Sequence, residues 1–282
     1  MRTNRLFWLA GALCAALGLG SCSNEMDEVA APAEGATRTV TLTVSLPGGG
    51  ADTRTVYTPD GADLKVTWAK GDKLTAVSDD TWNFTKSTTF TLLSGAGTDT
   101  ATFTGDIPAD VDEGDDVIFY YPEVQKEGDY YLLVDYTQQT GKLEGLGSVD
   151  VFAFAATYQD GTFNTIKEAE LRPSTFLHFA KGTAIGTGST ADFKLSGVSS
   201  KFFWDNSEKD GIAISDVALD SEGKLADDLY IAFLVFDVWL NNPTLTITVG
   251  SEKKVYSLDK ELEGGTMYNI NSLSQLTEVV TP

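Results

Sequence analysis

The sequence predicts an all-β protein of the sandwich class, and three observations carry that reading. From Thr39 onward, short runs rich in Val, Thr, Phe and Tyr are separated by turns built from Gly and Asp, the spacing of a β-sandwich. One run, Thr39 to Leu46, alternates without an error: Val40, Leu42, Val44 and Leu46 fall on one side, Thr39, Thr41, Thr43 and Ser45 on the other. That is the period of a half-buried strand. No stretch of the body carries a convincing helical period.

Composition bounds what such a protein can do. The chain has 282 residues, 42% of them hydrophobic, enough for a sizeable core and for one large or two ordinary domains. Its formal charge is −21 and its pI about 4.2, so phosphate backbones and anionic lipid would repel it and nucleic acid is set aside as a partner. Both cysteines, Cys14 and Cys22, lie in the N-terminal leader. The body is therefore held by burial and sheet hydrogen bonds, without a thiol or a disulfide.

The start reads as targeting rather than structure. Arg2 and Arg5 form a short basic region, and Leu6 to Gly20 is an apolar run of 15 residues, short for a membrane span. Leu19-Gly20-Ser21-Cys22 resembles the lipobox of bacterial lipoproteins, in which the cysteine is acylated and the lipid supplies membrane affinity without a spanning helix. The alternative is an ordinary signal peptide with a chance cysteine. Glu25, Asp27 and Glu28 follow and resemble the acidic export signal of Bacteroidetes lipoproteins bound for the outer face of the outer membrane. Residues 1–22 are thus expected to be a lipoprotein signal, and 23–37 a flexible tether.

Strands are expected over Thr39 to Leu46, Thr55 to Tyr57, Leu64 to Trp68, Lys73 to Val77, Thr89 to Leu93, Thr100 to Thr104, Asp116 to Tyr121, Tyr130 to Tyr136 and Val151 to Tyr158. Pro47 and three glycines end the first. The more polar Thr165 to Glu170 suggests a boundary, dividing the body into domains 38–165 and 166–282. In the second, Leu171 to Ala180, Ala191 to Leu195, Lys201 to Trp204, Leu229 to Leu240, Thr244 to Val249, Lys254 to Leu258 and Met267 to Leu273 read as strands. The run beginning Tyr230-Ile231-Ala232-Phe233 is too apolar for an exposed edge, so it reads as a central strand buried on both faces. A buried helix is the alternative, which its β-branched and aromatic content and the stop at Asn241-Asn242-Pro243 argue against.

Catalytic chemistry is nearly absent from the pattern. The one histidine, His178, lies in an apolar strand and reads as a packed, hydrogen-bonded residue. With no partner His or Cys in the body, no thiolate or imidazole metal site or nucleophile is expected, nor any cofactor. Asp110, Asp112, Glu113, Asp115 and Asp116 form an acidic loop that lacks Ca²⁺-loop spacing and reads as solvated. A carboxylate pair of glycosidase type cannot be singled out among 41 acidic residues. Trp68, Trp204 and Trp239 read as core. Trp82, in a polar loop, is the candidate surface contact, suited to stacking on a sugar.

The order of features carries a resemblance. A lipobox and the alternating strand lead to Thr53-Arg54-Thr55, then Val66-Thr67-Trp68-Ala69-Lys70-Gly71-Asp72-Lys73-Leu74 and Phe103-Thr104-Gly105. Phe119-Tyr120-Tyr121-Pro122, Leu171-Arg172-Pro173 and Gly264-Gly265-Thr266-Met267-Tyr268-Asn269-Ile270 follow. The series resembles the fimbrillin-like proteins of Bacteroidetes, the subunits of type V pili. The local physics is readable by itself. Trp68 fills a core, and Gly71-Asp72 makes a tight turn. Gly105 is expected to let the chain leave a strand. Tyr120 and Tyr121 point to opposite faces, and Pro122 ends the ladder.

The resemblance implies two tandem transthyretin-like Greek-key β-sandwich domains, with no enzyme activity. It also implies an assembly route: an arginine-specific protease cuts after the first strand, the lipid anchor and that strand leave, and a strand from another fimbrial subunit fills the groove. Arginine placement fits. After the leader only Arg38, Arg54 and Arg172 remain, against 15 lysines in the chain. Cleavage between Arg54 and Thr55 removes the whole alternating strand; cleavage at Arg38 is the alternative. Burying Val40, Leu42, Val44 and Leu46 contributes about 6–12 kcal/mol, comparable with the stability of a domain. Ser274 to Pro282 alternate poorly as a donor, which suits a tip or accessory subunit. The competing expectation is an unprocessed surface lipoprotein that binds glycan.

Overall fold

The computed structural model describes residues 36–45, 56–60, 63–77, 84, 87–166, 174–203, 207–208, 210–235, 242–258, 262 and 264–279. Among them the chain is all-β, with helix confined to short 3-10 turns. The first strands are β1 (Thr37–Ser45), β2 (Val56–Asp60), β3 (Asp63–Thr67), β4 (Lys73–Val77), β5 (Thr88–Ser94), β6 (Thr100–Pro108) and β7 (Asp116–Tyr121). Then come β8 (Gln125–Glu127), β9 (Tyr130–Asp135), β10 (Phe152–Gln159), β11 (Thr162–Ile166), β12 (Thr175–Phe179), β13 (Thr190–Ser196) and β14 (Lys201–Phe203). The last are β15 (Ser207–Glu208), β16 (Ile212–Ala218), β17 (Leu229–Phe233), β18 (Thr244–Val249), β19 (Glu252–Ser257), β20 (Met267–Ile270) and β21 (Thr277–Glu278).

Seven strands close into a ring in the order β1-β11-β10-β7-β4-β5-β6, with β6 returning to β1. Closure removes the exposed edges that an open sheet would carry. The C-terminal strands make a three-stranded sheet, β17-β12-β20, and a five-stranded one, β16-β13-β18-β19-β21. A further sheet, β15-β14-β9-β8, joins strands from both halves of the sequence.

Two apolar clusters follow from this arrangement, and the ring wall serves both. In β7, Val117, Phe119 and Tyr121 belong to the ring interior, whereas Tyr120 belongs to the larger cluster shared with the C-terminal strands. The two tyrosines therefore do point to opposite faces, and β7 ends at Tyr121. Trp68 is fully buried in the ring, with its indole edge-on to Phe103 at 4.9 Å and to Tyr121 at 5.7 Å. The turn after it is the expected tight one. Gly71 has φ +95°, and the Asp72 carboxylate accepts the Ala69 N–H at 2.7 Å.

Two expectations are corrected. Gly105 does not release the chain from a strand; it lies inside β6, opposite Val40 of β1. A Cβ there would stand 2.5 Å from the Phe90 ring, so the glycine is the space into which Phe90 packs. The apolar run from Leu229 is also not a central strand. Among the described residues β17 ladders only with β12, and it ends at Phe233, with 236–240 outside the described residues. Both its faces are buried, and its second edge is covered by side chain and turn. The Gln139 carboxamide donates to the Ala232 carbonyl at 3.0 Å and accepts the Ala232 N–H at 2.8 Å. The Tyr230 N–H donates to the Gly141 carbonyl at 2.9 Å. Apolarity here reports coverage rather than a place in the middle of a ladder.

Beside this edge sits a buried polar node. The Tyr136 hydroxyl lies 2.8 Å from the Ser174 hydroxyl, which donates to the Val149 carbonyl at 2.9 Å. Burial pushes the Tyr136 phenol well above its ordinary value of 10.0, and the Ser174 hydrogen bond offsets part of that rise.

Candidate functional site

The site is the slot that β1 fills. Thr37 to Ser45 run antiparallel to β6 in unbroken register, from Thr37 opposite Pro108 to Ser45 opposite Thr100. On the other side β1 runs parallel to β11, with Thr41 opposite Thr162 and Leu42 opposite Phe163. Among the described strands it is therefore the one that lies between β6 and β11, and removing it opens the ring at that place. Val40, Leu42 and Val44 point inward and are buried, Leu42 completely. Their neighbours Thr39, Thr41, Thr43 and Ser45 are exposed, so the predicted alternation is the observed one.

Hydroxyl ladders tie the outer face together. The Thr39 hydroxyl donates to Asp106 at 2.6 Å. Thr41 and Thr162 stand 3.2 Å apart through their hydroxyls, Thr43 and Thr102 3.3 Å, and Ser45 and Thr100 3.1 Å. The Thr162 hydroxyl also donates to the Thr41 carbonyl at 2.8 Å. Such exposed cross-strand pairs contribute about 0.2–1 kcal/mol each. The inward residues therefore dominate the retention of β1, at about 1.5–3 kcal/mol each.

Arg38 begins the strand and is engaged within the fold. Its position lies opposite Ile107 in the ladder. Its guanidinium donates to the Val111 carbonyl and lies over the Tyr158 ring, 4.4 Å from the centroid. The acidic loop supplies part of this seat. It is fixed to the end of β10 by the Tyr158 N–H donating to the Asp115 carbonyl and the Gly114 N–H donating to the Tyr158 carbonyl, each at 2.8 Å. Its carboxylates face the protein's own donors: Asp115 accepts the Asp112 N–H, Asp116 the Thr157 hydroxyl and Glu113 the Asp160 N–H. Neither Tyr158 nor the Val111 carbonyl was singled out by the sequence. Both lie far along the chain from Arg38, and only a cation at the head of an alternating strand hinted at a seat.

The remaining predicted residues divide as follows. Leu46, Arg54, Thr55, Trp82 and Cys22 lie outside the described residues, as do the leader, residues 23–35 of the tether, and Trp204 and Trp239. The expected tether end is corrected, because Thr37 already belongs to β1, opposite Pro108. His178 is packed as expected. It stacks on Tyr230 at 4.5 Å, its Nδ1 lies 2.6 Å from Asn269 Oδ1, and its Nε2 is 3.5 Å from Asp228. Near the C-terminus, β21 pairs with β19 through Thr277 and Glu278, both exposed, and the Val279 N–H donates to the Val255 carbonyl at 2.7 Å.

No protein-family model matches the chain, and no curated protein matches it. Solved structures similar to it come from Bacteroides. One is a candidate cell-adhesion protein of Bacteroides ovatus, 14% identical, covering 87% of this chain and 96% of that one, with TM-score 0.49. Another is a candidate cell-adhesion protein of Bacteroides fragilis, 11% identical, covering 82% and 91%, with TM-score 0.34. A third is a fimbrial protein of Bacteroides ovatus, 13% identical, covering 83% of this chain and 48% of that one, with TM-score 0.38. The structures this chain resembles are thus cell-adhesion and fimbrial proteins, at low identity.

Proposed function

We propose that this chain is a structural fimbrial subunit, not an enzyme, that reaches the cell surface as an outer-membrane lipoprotein acylated at Cys22. An arginine-specific protease matures it by cleavage after Arg54, and it joins other subunits by giving up β1 for a strand from a neighbour. The body is built as domains 38–165 and 166–282, and the subunit stands at a tip or accessory position.

The observation that carries the reading is the position of β1. It is the single strand between β6 and β11, and it belongs to the N-terminal end of the described chain. Removing it exposes two ladder edges and the apolar positions facing Val40, Leu42 and Val44. Those three residues contribute about 5–9 kcal/mol of burial, a large fraction of the net stability of a domain. An opened ring would have a strong drive to accept another alternating strand. The two arginines also differ. Arg38 lies within the ladder and is bonded to Val111, whereas Arg54 follows the Pro-Gly stretch after the strand, the kind of sequence where cleavage is tolerated.

The test is the N-terminus of the protein recovered from the cell surface. Free Thr55 in assembled material is the expected result. Assembled material that uniformly retains acylated Cys22 contradicts maturation by cleavage. Binding of that full-length protein to a glycan array, lost in Trp82→Ala, would favour the glycan-binding lipoprotein instead.

A further inference from the structure

We infer that the slot closed by β1 selects its replacement by charge at one end: the incoming strand, from another protein, carries Arg or Lys at the position opposite Ile107. This inference rests on the strand-exchange reading and adds the chemistry of the partner. Beyond that basic residue, branched apolar side chains stand opposite Gly105, Phe103 and Ala101, with hydroxyl-bearing or other small donor residues between them.

The basis is what β1 itself needs from the slot. At most positions it is held through backbone ladders and apolar volume, which accept any alternating strand. At its head the requirement is specific. The Arg38 guanidinium uses a main-chain acceptor, the Val111 carbonyl, and an aromatic face, the Tyr158 ring. Both favour a cation: a charged donor bonds a carbonyl about twice as strongly as a neutral one, the ring face attracts positive charge, and an acidic side chain finds no donor in either. They are also preorganised, because Tyr158 is buried and its backbone is paired on both sides to the loop that bears Val111. When β1 leaves, Arg38 leaves with it, while Val111 and Tyr158 stay. The next position reinforces the selection: Asp106 accepts a hydrogen bond from Thr39, so an acidic residue there would meet a like charge.

The occupant is a segment of a different protein because β1, the one match in this sequence, is the strand that cleavage removes from each copy. No other Lys or Arg in it is followed by apolar residues at the second, fourth and sixth positions with hydroxyl residues between. Ser274 to Val279 contain no basic residue at all.

The test uses the full chain with the recognition site of a sequence-specific protease inserted at Gly49, so that release of β1 does not depend on cleavage at Arg54. After cutting, a fluorescent peptide covering Arg38 to Leu46 is bound and competed with unlabelled versions. The Arg38→Lys peptide should compete nearly as well as the parent. The Arg38→Leu peptide should be about tenfold weaker, and Arg38→Glu weaker still. In a Tyr158→Leu chain the advantage of the parent peptide over Arg38→Leu should shrink severalfold. Equal competition by the parent and Arg38→Leu peptides on the unaltered chain overturns the charge selection while leaving strand exchange intact. If no peptide, the parent included, enters the slot, the exchange reading fails and takes this inference with it. Oligomers formed by the cut chain alone, with no other basic-headed strand supplied, would assign the slot to a second copy and contradict the choice of occupant.

Discussion

β1 and β17 both send buried apolar side chains into a core, but they are held in different ways. β1 buries one face only and is paired along both edges by backbone ladders, to β6 and β11. β17 buries all five residues and is laddered along one edge, to β12. Its other edge is closed by the Gln139 carboxamide and the Gly141 carbonyl. Ladders and alternation are generic, so many sequences can satisfy the place of β1. The place of β17 depends on one particular side chain, Gln139, and on a turn carbonyl, Gly141, that reach it from elsewhere in the chain. A strand of the first kind is suited to replacement, and a strand of the second kind is not.

The largest effects should come from core truncation in the two strands. Phe233→Ala should cost about 3–5 kcal/mol and Leu42→Ala about 2–5 kcal/mol in urea unfolding of the intact chain. The comparison sharpens once the chain is cut in the 46–55 stretch. Leu42→Ala should then appear mainly as faster loss of the β1 fragment, whereas Phe233→Ala should still unfold the remaining body. Equal loss of body stability in both cut variants would break the distinction.

Gln139→Leu comes next. It leaves the N–H and C=O of Ala232 buried without their partners, at about 1–3 kcal/mol for each group. Hydrogen exchange at Ala232 should accelerate, while exchange within β1 stays unchanged. Gly105→Ala should cost about 1–3 kcal/mol by overpacking against Phe90, and it acts on the β1 side of the comparison, since Gly105 faces Val40.

Titration adds a smaller, directional effect. The Tyr136 phenol is raised above its unfolded value of about 10 by burial. The folded state therefore holds the proton that the unfolded state releases, and stability is lost as pH rises beyond about 10. It is fully present below that value. Tyr136→Phe removes the hydroxyl bonded to Ser174, costing about 1 kcal/mol at neutral pH, and should flatten the alkaline limb of the unfolding curve. Some slope should persist, because burial also raises Tyr230 and Tyr256. The smallest effect belongs to the outer ladder, where Thr43→Val should change stability by no more than about 1 kcal/mol.

What the sequence made legible follows the same contrast. β1 was readable because its environment has two faces and each leaves its mark at every second residue. Trp68 and the Gly71-Asp72 turn were readable for a local reason, since a bulky aromatic and a positive-φ glycine have few other uses. β11 was not foreseen as a strand, although it completes the ring. Only Phe163 among its described side chains is buried in the ring, so Thr162-Phe163-Asn164-Thr165 looks like a polar connection. β16 was missed too; Asp216 sits at φ +57° and interrupts its alternation. Gly105 was misread because a glycine that makes room for a ring and a glycine that ends a strand look alike in one dimension. The Arg38 seat joins three distant segments, and no local pattern encodes it.

The most direct measurement of the central claim is native mass spectrometry of the full chain cut after Arg54, incubated with an isotopically heavy copy of the released β1 strand. The account predicts a folded body that retains one strand per chain and trades the light strand for the heavy one at one-to-one stoichiometry. A body that unfolds on cutting, or that never takes up the heavy strand, would contradict it.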